Sequence, residues 1–143
     1  GDYRRPKVRF PGSGGANDLA SHAKKILIIT RHERRRFPER CDFITSPGYI
    51  DGPDGRKRAG LSSPYPDIFV ITDLAVMAID KAQGVLSVVK LMPGVSMDQV
   101  RENTGFEPLV PSEVGTVEAP SERELRILRD EVDPGGAYLK RVE

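Results

Sequence analysis

The sequence predicts an α/β domain with a mixed sheet. Strand-like apolar runs outnumber helical patterns, and "KILIIT" (25–30) is a continuous apolar run that suits a strand buried on both faces. Two helices carry serine-led capping signatures. At 143 residues the length suits one domain, which buries roughly 70% of its unfolded surface.

The opening "GDYRRPKVRFPG" has no initiator methionine and neither a helix nor a strand pattern, which predicts a fragment or a processed chain. "GANDLASHA" (15–23) predicts a short helix with Leu19 and Ala23 on one face. "KILIIT" follows as a strand, then the basic "RHERRRFPER" (31–40) with its proline break. "CDFITS" (41–46) alternates like a second strand, and "SPGYIDGPDGRKRAGLSSPYP" (46–66) is a long Gly- and Pro-dense loop. Ordered loops of that length are uncommon and often functional. "IFVITDLAVMAID" (68–80) and "VLSVVKLM" (85–92) read as strands around a hairpin turn, where Gly84 is free to take positive φ. "SMDQVRENTG" (96–105) is a helix with Ser96 and Gln99 as a capping box and Gly105 at its C-terminal end. "FEPLVPSEVGTVEAP" (106–120) is extended. "SERELRILRDEVDPGG" (121–136) is the clearest helix: Ser121 and Glu124 cap it, Leu125, Leu128 and Val132 form its apolar stripe, and Pro134 with Gly135 ends it.

Composition narrows the function classes. Twelve prolines, fourteen glycines and 38% hydrophobic residues predict a loop-rich chain, or one that completes its core on a partner. A net charge of +1 argues against the electrostatic footprint of a nucleic-acid binder. No apolar run approaches the ~18 residues of a membrane span, and no secretory leader is recognisable. The single cysteine, Cys41, points to a reducing, cytoplasmic compartment and to a small buried apolar role. His22 and His32 lack metal-ligand spacing and read as structural or surface residues.

"GSGGANDL" (12–19) is the most informative stretch. Glycine lets a backbone approach a ligand closely and reach φ angles closed to other residues. The N–H groups at the start of the following helix, with its dipole, favour an anion there. Composition leaves two readings open for Gly12, Gly14 and Gly15: a tight structural turn, or a turn that holds a phosphate, a carboxylate or a developing oxyanion. No Gly-Lys-Ser/Thr follows, so this is not a Walker loop, and no strand clearly precedes it as a dinucleotide fingerprint requires.

The same stretch fits G-x-G-G-A-x-D-L and resembles the β-subunit segment of the family I CoA-transferases. "ITDLAVMAID" and "VVKLMPGVSMDQVRENTGF" resemble further family segments in the same order, with Met77 where the family usually has Phe. "DFITSPGYIDGPDGRKRAGL" resembles the branch formed by the B-type subunits of glutaconate CoA-transferases, which includes steroid ring-opening CoA hydrolases. The resemblance implies an open mixed sheet with flanking helices. It makes residues 1–143 the C-terminal part of such a β-subunit domain, without the N-terminal part. It puts Gly12, Gly14, Gly15 and Ala16 on the acyl-CoA thioester, with Gly14, Gly15 and Ala16 as an oxyanion hole. Coenzyme A thioester is then a substrate and no cofactor is permanently bound.

The family's nucleophile is a glutamate in a Ser-Glu-Asn-Gly-like motif upstream of the glycines. None of the eleven residues before Gly12 is Glu, so the resemblance implies that this chain holds no catalytic nucleophile. Glu102 and Asn103 in "RENTG" read as the end of a capped helix. The implied partners are a homologous A-type subunit of the CoA-transferase and the N-terminal part of the B-type one, in a hetero-oligomer that moves CoA between two carboxylic acids. The rival readings are a CoA-thioester hydrolase of the same fold and a non-catalytic assembly module. Asp18 is expected to cap the short helix or shape the glycine turn, and Asp73 to bond backbone in a neighbouring turn. Ser46, Pro47, Gly48 and Tyr49 are expected to shape the substrate end of the cleft. The basic cluster of Arg31, His32, Arg34, Arg35, Arg36 and Arg40 reads as a solvated or subunit-facing segment, with CoA phosphate contact as the alternative.

Overall fold

A computed structural model of the chain describes residues 4–6, 8–9 and 11–137. Residues 1–3, 7, 10 and 138–143 lie outside it, and with them part of the opening segment. Five strands form one sheet in chain order: β1 (Lys25–Ile29), β2 (Asp67–Ile71), β3 (Ala75–Asp80), β4 (Val85–Leu91) and β5 (Gly115–Thr116). β1 runs parallel to β2 and β4 parallel to β5, while β2–β3 and β3–β4 are antiparallel. The sheet is therefore mixed, as the patterning predicts. The helices are α1 (Gly15–His22), α2 (Gly55–Arg58), α3 (Met97–Glu102) and α4 (Glu122–Arg126). None of the described helices is long and apolar enough to cross a membrane.

The run 68–80 divides where Thr72 turns the chain. Its Oγ1 accepts from the N–H groups of Leu74 and Ala75 at 3.1 and 2.9 Å, a local bond that competes with strand extension. Gly84 makes the β3–β4 turn with φ 71°, and a Cβ there would meet Gly52 C at 2.7 Å. On one face, Val70 stands opposite Met77, and Met77 opposite Val88. An irregularity at Val76/Met77 shifts the register so that Ala75 faces Leu91. The extra residue on β4 breaks strict alternation, and Val88 and Leu91 both reach the core. That core joins Val70, Ala75, Met77 and Val88 to Val100 of α3 and to Phe37. α3 starts on the expected capping box: Ser96 Oγ accepts from Gln99 N–H at 3.3 Å, and Ser96 N–H donates to Gln99 Oε1 at 2.8 Å. α4 has the expected box at Ser121 and Glu124.

Several expectations need correction. β1 is not covered on both faces: it is an edge strand, with Leu27 61% and Ile29 82% exposed. Residues 41–46 form no strand, because no neighbouring strand pairs with them, and Phe43 and Ile44 stay exposed. Cys41 is exposed for the same reason. Asn103, not Gly105, caps α3; Gly105 instead admits the backbone of 37–39, with Phe37 O 2.6 Å from where a Cβ would stand. The last helix is α-helical only to Arg126 and continues as π-helix over Ile127–Val132. Its i→i+5 bonds turn Val132 away from the stripe begun by Leu125 and Leu128.

His32 ties three parts of this frame. Its Nδ1 lies 3.0 Å from Thr72 Oγ1 and its Nε2 2.9 Å from Thr104 Oγ1, and the ring stacks on Phe37 at 4.4 Å. Its backbone N–H donates to Asp73 Oδ1 at 2.7 Å, so Asp73 bonds backbone as expected, in a loop far along the chain. The hydroxyls can serve either form of the ring, since each also reaches a carbonyl. Burial decides: desolvation holds the pKa below the ordinary imidazole value, against the opposing Asp73 charge. The unfolded ring then takes a proton before the folded one. Stability is complete above about pH 6.5 and falls as pH drops through the folded pKa. Thermal melts are expected to lose more Tm between pH 7.5 and 5.5 in the wild type than in His32→Asn; equal losses would mean that the folded ring is not kept neutral.

Candidate functional site

The site is built around the first turn of α1. Gly14 is its N-cap, with φ 54° and ψ −143°, a conformation that side chains other than glycine rarely adopt. No side chain caps the helix, so Asp18 stands in the first turn without the capping role expected of it. A helix start leaves four N–H groups without helical partners. Ala16 N–H turns back to Ser13 O at 3.2 Å.

The described glycines differ in what a Cβ would meet. At Gly84 and Gly105 a Cβ would collide with the chain's own backbone. At Gly12, Gly14 and Gly15 a Cβ would meet nothing within 4 Å, as at Gly48, Gly52, Gly60, Gly94 and Gly135; what sets the first three apart is their place at the start of α1. Gly12, Gly14 and Gly15 are exposed, as is Ala16. Only Gly14 is required by its φ angle; intramolecular packing requires none of the three.

α1 is held mainly by the segment 45–63. Asn17 Nδ2 donates to Thr45 O at 2.7 Å, and His22 Nδ1 lies 2.6 Å from Ser62 Oγ. Arg56 Nη2 donates to Ala20 O and Ser21 O at 2.9 and 3.0 Å. A largely apolar cavity of about 550 Å³ lies between α1 and β1, lined by Ala16, Leu19, Ala20, Ile26, Pro47 and Gly48 among others. Ser46, Pro47 and Gly48 therefore share a cavity with Ala16, whereas Tyr49 is buried, and its hydroxyl donates to Pro66 O at 3.1 Å. On the other side of the turn, Gly12 and Ser13 line a second hollow with Val8 and Phe43.

The basic cluster spends much of its charge locally. Glu33 pairs with Arg35 at 2.6 Å and Arg36 at 3.2 Å, and the bond from Arg35 above all holds its carboxyl below the usual range. Arg34 Nη1 donates to Glu102 O at 3.3 Å. Glu102 itself ends α3, as its place in "RENTG" predicts. Among the described residues no group of three His, Cys, Asp or Glu is placed to hold a metal ion. The sequence reading missed Arg56; inside "DGRKRAGL" nothing separates it from Arg58, which is exposed and pairs with Asp51.

The family model of coenzyme A transferase matches residues 1–103. The chain is 41% identical over 140 residues to the B-type subunit of glutaconate CoA-transferase from Acidaminococcus fermentans, covering 98% of this chain and 52% of that protein. The crystal structure of that glutaconate coenzyme A-transferase superposes with a TM-score of 0.86 over 99% of this chain and 54% of the other. Identity is 43% over 129 residues to the B-type subunit of 3-oxoadipate CoA-transferase from Pseudomonas knackmussii, over 90% of this chain and 49% of that one. It is 27% over 137 residues to the cholesterol ring-cleaving hydrolase IpdB subunit of Rhodococcus jostii, over 94% of this chain and 52% of that one. The chain thus spans about half the length of the relatives it matches. With the family model covering most of its residues, and with two relatives above 40% identity, the chain belongs to the coenzyme A transferase family.

Proposed function

We propose that this chain is the C-terminal part of the B-type subunit of a CoA-transferase, and that the α1 turn is the backbone side of its acyl-CoA site. One observation carries the reading: Gly12, Gly14 and Gly15 leave bare backbone facing open space at an uncapped helix start. A thioester carbonyl gains negative charge on its oxygen when a nucleophile adds to its carbon. Fixed N–H donors and the positive end of a helix dipole stabilise that charge. Gly14 and Gly15 supply N–H groups for it, Ala16, whose own N–H is bonded to Ser13 O, holds the turn in shape, and Gly12 lets the approaching chain stay clear.

The nucleophile is a glutamate carried by the N-terminal part of the same B-type subunit. Its carboxylate adds to the thioester carbonyl and expels CoA thiolate, giving a mixed anhydride; the thiolate then attacks the glutamyl carbonyl, releasing the first carboxylate and leaving a glutamyl thioester, and the reverse steps load CoA onto a second carboxylate. Splitting the exchange this way replaces one hard step by two easier ones. The exposed apolar residues of β1 support a chain that is completed elsewhere, since Leu27, Ile28 and Ile29 are all at least 44% exposed and an open apolar edge strand invites pairing. The N-terminal part covers that edge, and a homologous A-type subunit completes a hetero-oligomer in the reducing cytoplasm. The two transferase relatives, above 40% identity, favour transfer over hydrolysis.

The test uses the complete B-type subunit with its co-purifying partner and acyl-CoA. Borohydride reduces a glutamyl thioester to the alcohol and releases CoA, and peptide mass spectrometry is expected to locate one reduced glutamate upstream of Gly12. Steady release of free CoA without a reduced glutamate would replace transfer by hydrolysis, and no turnover at all would overturn the reading.

Gly15 separates function from folding. Gly15→Ala keeps its N–H and adds a methyl where the thioester would approach: stability is expected to hold or rise by a few tenths of a kcal/mol at this first helical position, while displacement of the thioester lowers kcat on the order of 10²-fold. Gly14→Ala is expected to lose both, because of its positive φ. Denaturant melts and steady-state kinetics check this; unchanged kcat in Gly15→Ala would remove the turn from the chemistry.

A further inference from the structure

Arg56 is fully buried, and its partners are all backbone carbonyls. Nε donates to Ser63 O at 2.7 Å, Nη1 to Pro47 O and Gly48 O at 3.0 and 3.1 Å, and Nη2 to Ala20 O and Ser21 O at 2.9 and 3.0 Å. Guanidinium offers five N–H donors in a fixed planar fork, and here five carbonyls meet it. Burying a cation without a carboxylate is costly, and burial pulls this guanidinium below its ordinary pKa, with Tyr49 opposing. Two of the five carbonyls belong to the last turn of α1, where the helix dipole is negative and favours a cation.

The surrounding backbone is shaped to this placement. A Cβ on Gly55 would collide with Tyr49 O and Asp51 Oδ1, so the turn bearing Arg56 packs directly on 49–51. Ile50 in that segment holds φ 67°, a left-handed conformation that is strained for a β-branched residue. Apart from this fork α1 is tied by Asn17 to Thr45 O and by His22 to Ser62 Oγ, and its apolar packing is slight: Ser21 is its buried residue, and Leu19 is 73% exposed. An eight-residue helix is a rod about 12 Å long, so its five-bond neighbourhood at the C-terminal end, with the single Asn17–Thr45 bond at the other, sets where its N-terminal end stands.

We propose that Arg56 is the positioning residue of the glycine turn, holding α1 by its C-terminal carbonyls so that the backbone at Gly14–Ala16 stands where the thioester oxygen is stabilised. This rests on the reading of that turn as the thioester site. It differs from a general folding role in what it predicts. A misplacement of about 1 Å costs on the order of 10²-fold in rate, while substrate binding through the rest of the site persists.

The experiment compares Arg56→Lys and Arg56→Met with Ser96→Ala in the complete two-subunit enzyme. Ser96→Ala removes the α3 cap and serves as a control for stability loss away from α1. Arg56→Lys is expected to lower kcat roughly 10²-fold with the KM for acyl-CoA within about 3-fold. Arg56→Met, which keeps an unbranched apolar stem and loses every donor, is expected to lower kcat at least as far. Amide hydrogen exchange over 14–22 is expected to quicken while β2–β4 stays protected. A kcat loss no greater than that of Ser96→Ala, or unchanged exchange in α1, would overturn the proposal. Failure of Arg56→Lys to fold would also overturn it, by making Arg56 a folding residue alone. If the wild-type enzyme turns over no acyl-CoA, the thioester reading fails, and the exchange data still decide whether Arg56 holds α1.

Discussion

The connection between two parallel strands has to leave the sheet and return, and the crossover is usually a helix that packs back on the sheet. Between β1 and β2 this chain uses residues 30–66, whose only helix is the four-residue α2. With little apolar packing of its own, this crossover is organised by polar bonds. The Arg56 fork gathers the carbonyls of 20–21, 47–48 and 63 around one cation. Near β1's end, His32 and Asp73 bind the start of the crossover to the β2–β3 turn and, through Thr104, to α3. The stance of α1 depends on this fork together with the bonds of Asn17 to Thr45 O and His22 to Ser62 Oγ.

The molecule is consequently two-sided. Around β2, β3, β4 and α3 the apolar residues find one another, and Met77, Val88 and Val100 are fully buried. Around α1 and β1 they do not. Leu19, Leu27 and Ile29 remain exposed, and a cavity separates the helix from the strand. Exposed apolar surface of this extent marks an interaction site in a native protein. It sits in a chain that spans about half the length of its relatives, and it adjoins the glycine turn.

Several local signals in the sequence held, although neither Gly105 nor Asp18 caps its helix. The capping boxes at Ser96 and Ser121, the turn at Gly84 and the helix following the glycines each depend on residues within one turn of each other, and each is present. Signals that depend on distant partners failed. "CDFITS" has a strand's alternation but no strand beside it, and "KILIIT" has the composition of a covered strand but lies at the edge. The glycine stretch shows where physical reading stops: composition left it between a structural turn and an anion site, and the open space around each missing Cβ is a fact of three dimensions. Arg56 was illegible for the same reason, because its partners are backbone carbonyls, which carry no sequence signature.

Polarisation of a thioester carbonyl by the α1 turn is open to direct observation. The measurement is isotope-edited infrared difference spectroscopy of ¹³C-carbonyl acyl-CoA bound to the complete enzyme. Hydrogen-bond donors aimed at the oxygen weaken the C=O bond and lower its stretching frequency. The carbonyl band is expected below its position in water, with the shift lost in Gly15→Ala. A band at the solution frequency, or the same shift in wild type and variant, would contradict a role for the turn in the chemistry.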